Sequence, residues 1–113
     1  MSTPARILIV DDHELIGIAF VEALSDAGYQ AHAEQSALKA VQMATQCPFD
    51  VVFTDLLMPE MDGFAATERI RELETAAPGR RRVPIIAVTA NAMTEDREKC
   101  RAVGMDAFLA KPL

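Results

Sequence analysis

Polar side chains that can do chemistry follow four of the apolar segments of this chain. A carboxylate pair follows the first segment, a third carboxylate follows another, and a hydroxyl and an ammonium follow the last two: Asp11, Asp12, Asp55, Thr89 and Lys111. Three carboxylates brought together repel one another and require a cation. Oxygen ligands of this kind suit Mg2+, which keeps several waters and takes phosphate as a co-ligand. The set therefore predicts transfer of a phosphoryl group onto a carboxylate, with the metal ion and Lys111 neutralising charge in the transition state.

Each of these residues also has a structural explanation when it is taken alone. Asp11 and Asp12 could end a strand and cap the following helix, and Asp55 could be a turn residue. Thr89 could cap a strand end, and Lys111 could be an ordinary surface lysine. Coincidence at four matching strand ends is a weaker explanation than one shared site.

The elements that must position these residues alternate along the chain. Continuous apolar runs predict buried strands at 7–10, 50–54 and 84–88, and weaker signals predict strands at 29–33 and 107–109. Helical spacing and stop signals predict helices at 14–27 and 91–103, a helix between a plausible cap at Ser36 and a stop at Pro48, and a helix through Phe64 and Leu73 that breaks at Pro78. This alternation predicts an α/β fold with a doubly wound five-stranded parallel sheet and helices on both faces. Ligands bind such sheets at the carboxyl ends of the strands, where the polar residues would meet.

Composition limits the chain to one class of protein. With 113 residues and 12.3 kDa, we expect residues 1–113 to form a single domain, and the 50% hydrophobic content excludes a disordered tail. The net charge of −6 argues against direct nucleic-acid binding, so we interpret the arginine run 80–82 as a solvated connector.

The sequence also bears on location. Its apolar runs are far shorter than a membrane span of about 20 residues, and it has no signal-peptide pattern. We expect a cytoplasmic domain without membrane contact, in which Cys47 and Cys100 are reduced thiols.

The sequence stops directly after the fifth predicted strand. Because an open sheet of this kind normally finishes with a covering helix, we expect the final helix to be missing, in effect a truncation. A chain that really ended at Leu113 would expose apolar side chains, and we expect it to aggregate or to swap segments.

In combination, the motifs resemble one family closely: Ile9-Val10-Asp11-Asp12, Asp55-Leu56-Leu57-Met58-Pro59-Glu60-Met61-Asp62-Gly63, Thr89-Ala90-Asn91-Ala92 and Lys111-Pro112. They are similar to those of the receiver domain of two-component response regulators, which has a flavodoxin-like (βα)5 fold. The resemblance implies that Asp55 is the phosphoacceptor and that it shares Mg2+ with Asp11, Asp12 and the backbone carbonyl of Leu57. It also implies that Thr89 and Lys111 contact the phosphoryl oxygens.

The family further implies a switch. Phosphorylation would draw Thr89 inward and let the ring of Phe108 follow, so that the helix at 91–103 and its flanking strands form the output surface. Leu57 stands where many members carry a polar side chain near the phosphoryl group. We therefore predict a phosphorylated state that decays slowly, and we expect replacement of Leu57 with Asn to shorten its half-life.

The implied partner is a histidine kinase or a histidine phosphotransfer domain that donates from a phosphohistidine. The segments 89–93 and 100–106 are similar to receivers fused to hybrid sensor histidine kinases. Such a domain promotes its own phosphorylation but is not a free-standing turnover enzyme.

Two other functions stay open at this point. One is a phosphorylation-independent pseudo-receiver that serves as a docking module. The other is a phosphatase with an aspartyl nucleophile, which needs a general acid and usually a cap domain. Of the two histidines, we expect His13 to be exposed rather than a metal ligand, and His32 lies in a weak strand without a partner motif.

Overall fold

The computed structural model describes residues 4–56, 58, 61–77, 79, 81–89 and 94–110. Strands and helices alternate along these residues as the apolar pattern predicts. The strands are β1 (Arg6–Val10), β2 (Gln30–Glu34), β3 (Val51–Asp55), β4 (Ile85–Thr89) and β5 (Ala107–Ala110). The helices are α1 (Glu14–Asp26), α2 (Ala37–Gln46), α3 (Gly63–Ala76) and α4 (Thr94–Val103).

All strand pairs are parallel, in the order β2-β1-β3-β4-β5. The prediction of a five-stranded parallel sheet is thereby confirmed. The chain moves outward from β1 to β2 and then returns to place β3 on the other side of β1. The carboxyl ends of β1 and β3 are therefore the topological switch point of the sheet, where open α/β sheets bind ligands.

The two faces of the sheet are covered by different helices. Leu8, Val52 and Ile85 are almost completely buried on the face that packs against α2, α3 and α4. Phe53 points to the other face, where its ring lies 5.5 Å from that of Phe20 on α1. A Cβ atom at Gly17 of α1 would lie 3.1 Å from the Cβ of Ala33, so this helix packs closely on the sheet. Helices on both faces are thus also confirmed.

The predicted helix boundaries agree with the structure within a few residues. Ser36 caps α2 by accepting a hydrogen bond from the backbone N–H of Lys39. Gly28 and Gly104 follow α1 and α4 with φ of 96° and 103°, a conformation that glycine adopts without strain. The predicted first turn of α4, residues 91–93, lies outside the described residues.

An ion-pair network, which we call the amino-edge network, ties α3 to the amino ends of β4 and β5. It consists of Arg71, Glu74, Arg82 and Asp106. Arg71 donates to Glu74 at 2.7 Å and to Asp106 at 3.0 Å, and Arg82 donates to the other oxygen of Asp106. The same two arginines bind the carbonyl of Gly104 at the end of α4. The network therefore links four consecutive elements of the second half of the fold.

Backbone groups complete this network. Val83 donates its backbone N–H to Glu74 at 2.7 Å, and Ile85 donates to Asp106 at 2.9 Å. Burial by itself raises the pKa of Asp106. The hydrogen bonds from Arg82 and Ile85 and the charges of Arg82 and Arg71 outweigh it, so the pKa is lowered overall. Arg82 thus does more than the solvated connector that we predicted, although it is half exposed.

Strand β5 ends at Ala110, and the described part of the chain contains no helix after it. On the α1 face, Leu109 of β5 is 39% exposed. None of the helices that the structure describes has the length and apolarity of a bilayer span.

Candidate functional site

Four of the predicted site residues meet at the carboxyl edge of the sheet. Asp11 and Asp12 follow β1, whereas Asp55 and Thr89 are the last residues of β3 and β4. We predicted Asp55 and Thr89 one position beyond their strands. The ladders continue further, because Asp55 pairs with Val88 and Thr89 pairs with Ala110.

Three of these polar residues are buried: Asp11, Asp55 and Thr89 are 6%, 8% and 3% exposed. Burying carboxylates so close together is unfavourable unless other groups compensate their charge. The location is therefore one where the fold concentrates negative charge.

The carboxylates form a compact acidic cluster together with one imidazole. One ligand atom each from Asp11, Asp12, His13 and Asp55 can be chosen so that all lie within 4.8 Å of one another. Nδ1 of His13 lies 3.2 Å from Oδ1 of Asp11 and 3.3 Å from Oδ1 of Asp12. As predicted, His13 is exposed, with 64% of its side chain accessible. Its contact with both acids was not foreseen.

The turn from β1 into α1 explains this placement. Oδ1 of Asp11 accepts a hydrogen bond from the backbone N–H of His13 at 2.9 Å, which closes a tight turn. The backbone N–H of Asp11 donates to the carbonyl of Glu34 and so extends the pairing with β2 by one residue. Both bonds hold Asp11 and His13 in fixed positions at the edge of the sheet.

The cluster fits a divalent cation. Oδ1 of Asp12 is buried and has no hydrogen-bond partner in the described part of the chain. A buried carboxylate oxygen left without a donor is costly, and a cation that accepts its lone pair removes that cost. Three carboxylates from two neighbouring strand ends supply the hard oxygen ligands that Mg2+ prefers.

The start of α3 lies in close contact with the backbone of Asp55. Gly63 donates its N–H to the carbonyl of Leu56 at 3.0 Å, and a Cβ atom at Gly63 would lie 2.4 Å from the carbonyl oxygen of Asp55. Any other residue would therefore displace the end of β3. Asp62 caps the helix by accepting from Ala65 at 2.7 Å. Gly63 is thus a positioning residue, which we named from the sequence only as part of a loop motif. Its place directly after Asp62, a residue type that caps helices, was the sequence signal for this role.

The predicted switch residue Phe108 lies on β5, half buried, beside Ala87 of β4. The guanidinium carbon of Arg97 on α4 lies 5.3 Å from the centre of its ring, within range of a cation–π contact. On the same helix, Nζ of Lys99 lies 4.4 Å from the ring centre of Phe64 on α3. The polar helix α4 is therefore held partly by cations that stack on neighbouring rings.

Some predicted site residues cannot be placed. Lys111, Pro112 and Leu57 with its backbone carbonyl lie outside the described residues. The cysteines match their prediction as unpaired thiols, Cys100 buried and Cys47 half buried. Burial, followed by the charge of Asp96, raises the pKa of Cys100. A thiol with a raised pKa is a weak nucleophile, so Cys100 belongs to the core rather than to a reactive site.

Comparison with known proteins gives one consistent result. Residues 7–113 match the family model of the response regulator receiver domain. Among curated proteins, the chain is 36% identical over 107 residues to the sensor histidine kinase RcsC of Escherichia coli. That alignment covers 95% of this chain but only 11% of RcsC.

Solved structures agree with the sequence match. The receiver domain of the Pseudomonas aeruginosa sensor histidine kinase PA1611, which has a magnesium ion coordinated in its active-site cleft, superposes with a TM-score of 0.80 at 38% identity. That superposition covers 98% of this chain and 88% of the other. The receiver domain of the histidine kinase CKI1 from Arabidopsis thaliana, complexed with Mg2+ and BeF3-, gives a TM-score of 0.85 at 33% identity, with 95% and 80% coverage. With its parallel sheet, its acidic cluster and these matches, the chain belongs to the response regulator receiver domain family.

Proposed function

We propose that this chain accepts a phosphoryl group on Asp55 from a phosphohistidine of a partner protein, in a reaction that depends on Mg2+. The observation that carries this proposal is the acidic cluster at the switch point of the sheet. Asp55 belongs to this cluster and is buried at the end of β3, and the N–H of Gly63 binds the carbonyl of the next residue, Leu56. A rigidly held backbone keeps a nucleophile in one orientation toward its target.

The remaining site residues take the roles that the family implies. Asp11, Asp12, Asp55 and the carbonyl of Leu57 would hold the ion, and Thr89 and Lys111 would contact the phosphoryl oxygens. When bound, Mg2+ supplies positive charge against those oxygens. A carboxylate oxygen of Asp55 attacks phosphorus, the nitrogen–phosphorus bond of the donor breaks, and its electron pair stays on the imidazole nitrogen. The product is an acyl phosphate on Asp55.

The added charge would then work through Thr89 and Phe108. Thr89 is buried at the end of β4, two residues along the strand from Ala87, which pairs with Phe108. A threonine hydroxyl drawn toward the phosphoryl oxygens vacates space next to β5, into which the ring of Phe108 can move. Because Arg97 stacks on this ring, such a movement changes a contact of α4 and so the surface offered to a partner.

The partner that we propose is a histidine kinase or a histidine phosphotransfer domain. The 36% identity to the 11% of RcsC that the alignment covers supports a receiver that belongs to a hybrid sensor kinase. We place it in the cytoplasm, in line with its two unpaired cysteines.

Intact mass spectrometry tests the central step. The protein is incubated with acetyl phosphate and Mg2+, and we expect it to gain one phosphoryl group that chelation of the metal prevents. Asp55→Asn should gain none. Asp26→Asn, which changes an exposed carboxylate at the far end of α1, is the matched control and should behave as the unmodified protein. Equal modification of both variants would contradict the proposal.

A further inference from the structure

His13 occupies a position that should favour a different kind of residue. It is the N-cap of α1, where Ser, Thr, Asp and Asn are preferred because their side chains accept from free backbone N–H groups. The His13 side chain makes no such capping bond. Its own backbone N–H is bound by Asp11. The imidazole therefore does not cap the helix; its Nδ1 instead lies within hydrogen-bond distance of Oδ1 of Asp11 and close to Oδ1 of Asp12.

The distances around its ring match those within a metal coordination sphere. For an octahedral ion with bonds of about 2.1 Å, adjacent ligand atoms lie about 3.0 Å apart and opposite ones about 4.2 Å apart. Nδ1 of His13 lies 3.2 Å and 3.3 Å from carboxylate oxygens of Asp11 and Asp12, close to the adjacent spacing. One of these oxygens, Oδ1 of Asp12, is buried without a hydrogen-bond partner among the described residues. Little rearrangement would be needed for one ion to contact both Nδ1 of His13 and Oδ1 of Asp12.

We infer that His13 determines which metal this site prefers, by adding a nitrogen ligand that favours borderline cations such as Co2+ and Zn2+ over Mg2+. Imidazole suits these transition metals, whereas Mg2+ selects oxygen ligands and water. The inference rests on the proposed function, because the same carboxylates hold the ion. It goes further in separating two classes of ion: Mg2+ takes only the oxygen ligands of the site, and a borderline cation also binds the ring of His13.

The exposure of His13 makes this selective role testable without damage to the fold. The ring is only partly covered, so replacing it removes few packing contacts. His32, the other histidine of the chain, is exposed on β2 and lies outside the acidic cluster, which makes His32→Gln the matched control.

The experiment measures the affinities of Co2+ and Mg2+ by calorimetry in one mildly alkaline buffer, together with the visible absorption of bound Co2+. In His13→Gln we expect Co2+ to bind about tenfold more weakly, in line with the loss of a supporting metal contact. Its absorption bands should shift toward those of an all-oxygen site. The Mg2+ affinity should stay within about threefold, since oxygen ligands hold that ion. His32→Gln should match the unmodified protein in every readout.

The outcomes separate this inference from the proposed function. Equal weakening of both ions in His13→Gln, or an unchanged Co2+ affinity and spectrum, would overturn the role of His13 while leaving a carboxylate metal site in place. Failure of the proposed function would look different: Mg2+ would bind Asp55→Asn as tightly as the unmodified protein, or would not bind at all.

Discussion

The two ends of the sheet use carboxylates in opposite ways. At the amino edge, Asp106 and Glu74 are surrounded by donors from Arg71, Arg82 and the backbone. At the carboxyl edge, Asp11, Asp12 and Asp55 crowd together, and the imidazole of His13 lies beside the first two. The amino-edge network joins elements of the fold, whereas the acidic cluster concentrates charge for a ligand. Similar side chains on one sheet thus serve stability at one end and, in the function that we propose, binding at the other.

The largest effect on this contrast should come from removing the carboxylate of Asp55 from the cluster. We expect Asp55→Asn to abolish phosphorylation by acetyl phosphate completely. Without a metal ion, the same change should leave the melting temperature unchanged or higher, because one of several mutually repelling charges is lost. Calorimetric melting with and without Mg2+ measures this, and a clear loss of stability in the metal-free protein would count against the contrast.

Removing a charge from the amino-edge network should have the opposite effects: a loss of stability, with phosphorylation retained. Arg71→Gln should lower the free energy of unfolding by about 3 kcal/mol, since it leaves Glu74 without its arginine and removes one of the two arginines that bind Asp106. The side chains of Arg71 and Glu74 are only 16% and 9% exposed. Acetyl phosphate should still modify Asp55 in the folded fraction.

Arg69→Gln is the matched control for Arg71→Gln. Arg69 pairs with Glu72 on the same helix at the same spacing, but both side chains are more than half exposed. Its loss should change the free energy of unfolding by less than about 0.5 kcal/mol. Urea unfolding of both variants gives the two values, and similar losses would refute the argument from burial.

Acid should weaken the amino-edge network through Asp106. Its pKa is lowered in the folded protein, so the charged form adds stability above the usual Asp value of about 3.9 and that contribution disappears as the pH falls through the lower, folded value. Asp106→Asn should therefore be less stable than the unmodified protein near neutral pH. The difference between the two should narrow below about pH 4. Urea unfolding across this range measures the gap; a gap that widens in acid would give the wrong sign.

The smallest effect concerns α4. Arg97→Gln removes the cation from the ring of Phe108 and should cost about 0.5–1 kcal/mol. Hydrogen exchange should then increase along α4 while it stays slow near Gly104, where Arg71 and Arg82 hold the carbonyl. Arg101→Gln, which changes another exposed arginine one turn further along the same helix, is a suitable control. Uniform loosening of the whole helix in both variants would show that the stacking contact has no local role.

The fold and most of the described cluster were predictable because they follow from chain-local signals. Apolar runs such as 50–54 marked the strands, and parallel strands necessarily bring Asp11 and Asp55 to one edge. The amino-edge network was not predictable in this way. Arg71 meets Asp106 across 35 positions of sequence, a contact that depends on how α3 and the turn before β5 pack.

The position of His13 shows a second limit. Its exposure could be predicted from its place at the start of a helix, and that prediction is confirmed. The direction of its ring depends on the turn that closes when the backbone N–H of His13 donates to Oδ1 of Asp11. The sequence pattern does not reveal this hydrogen bond. The spacing of residues in the sequence shows which of them share an edge of the sheet. It does not show how each side chain is oriented along that edge.

Localising the phosphoryl group tests the central claim most directly. After incubation with acetyl phosphate and Mg2+, borohydride reduction and peptide mass spectrometry identify the residue that carried an acyl phosphate. The acidic cluster at the carboxyl edge predicts a single modified peptide, reduced at Asp55, in the unmodified protein and in Asp26→Asn alike. Phosphoryl transfer to another residue, such as Asp12 or His13, or a protein that stays unmodified while it binds Mg2+, would contradict the assignment of Asp55 as the phosphoacceptor.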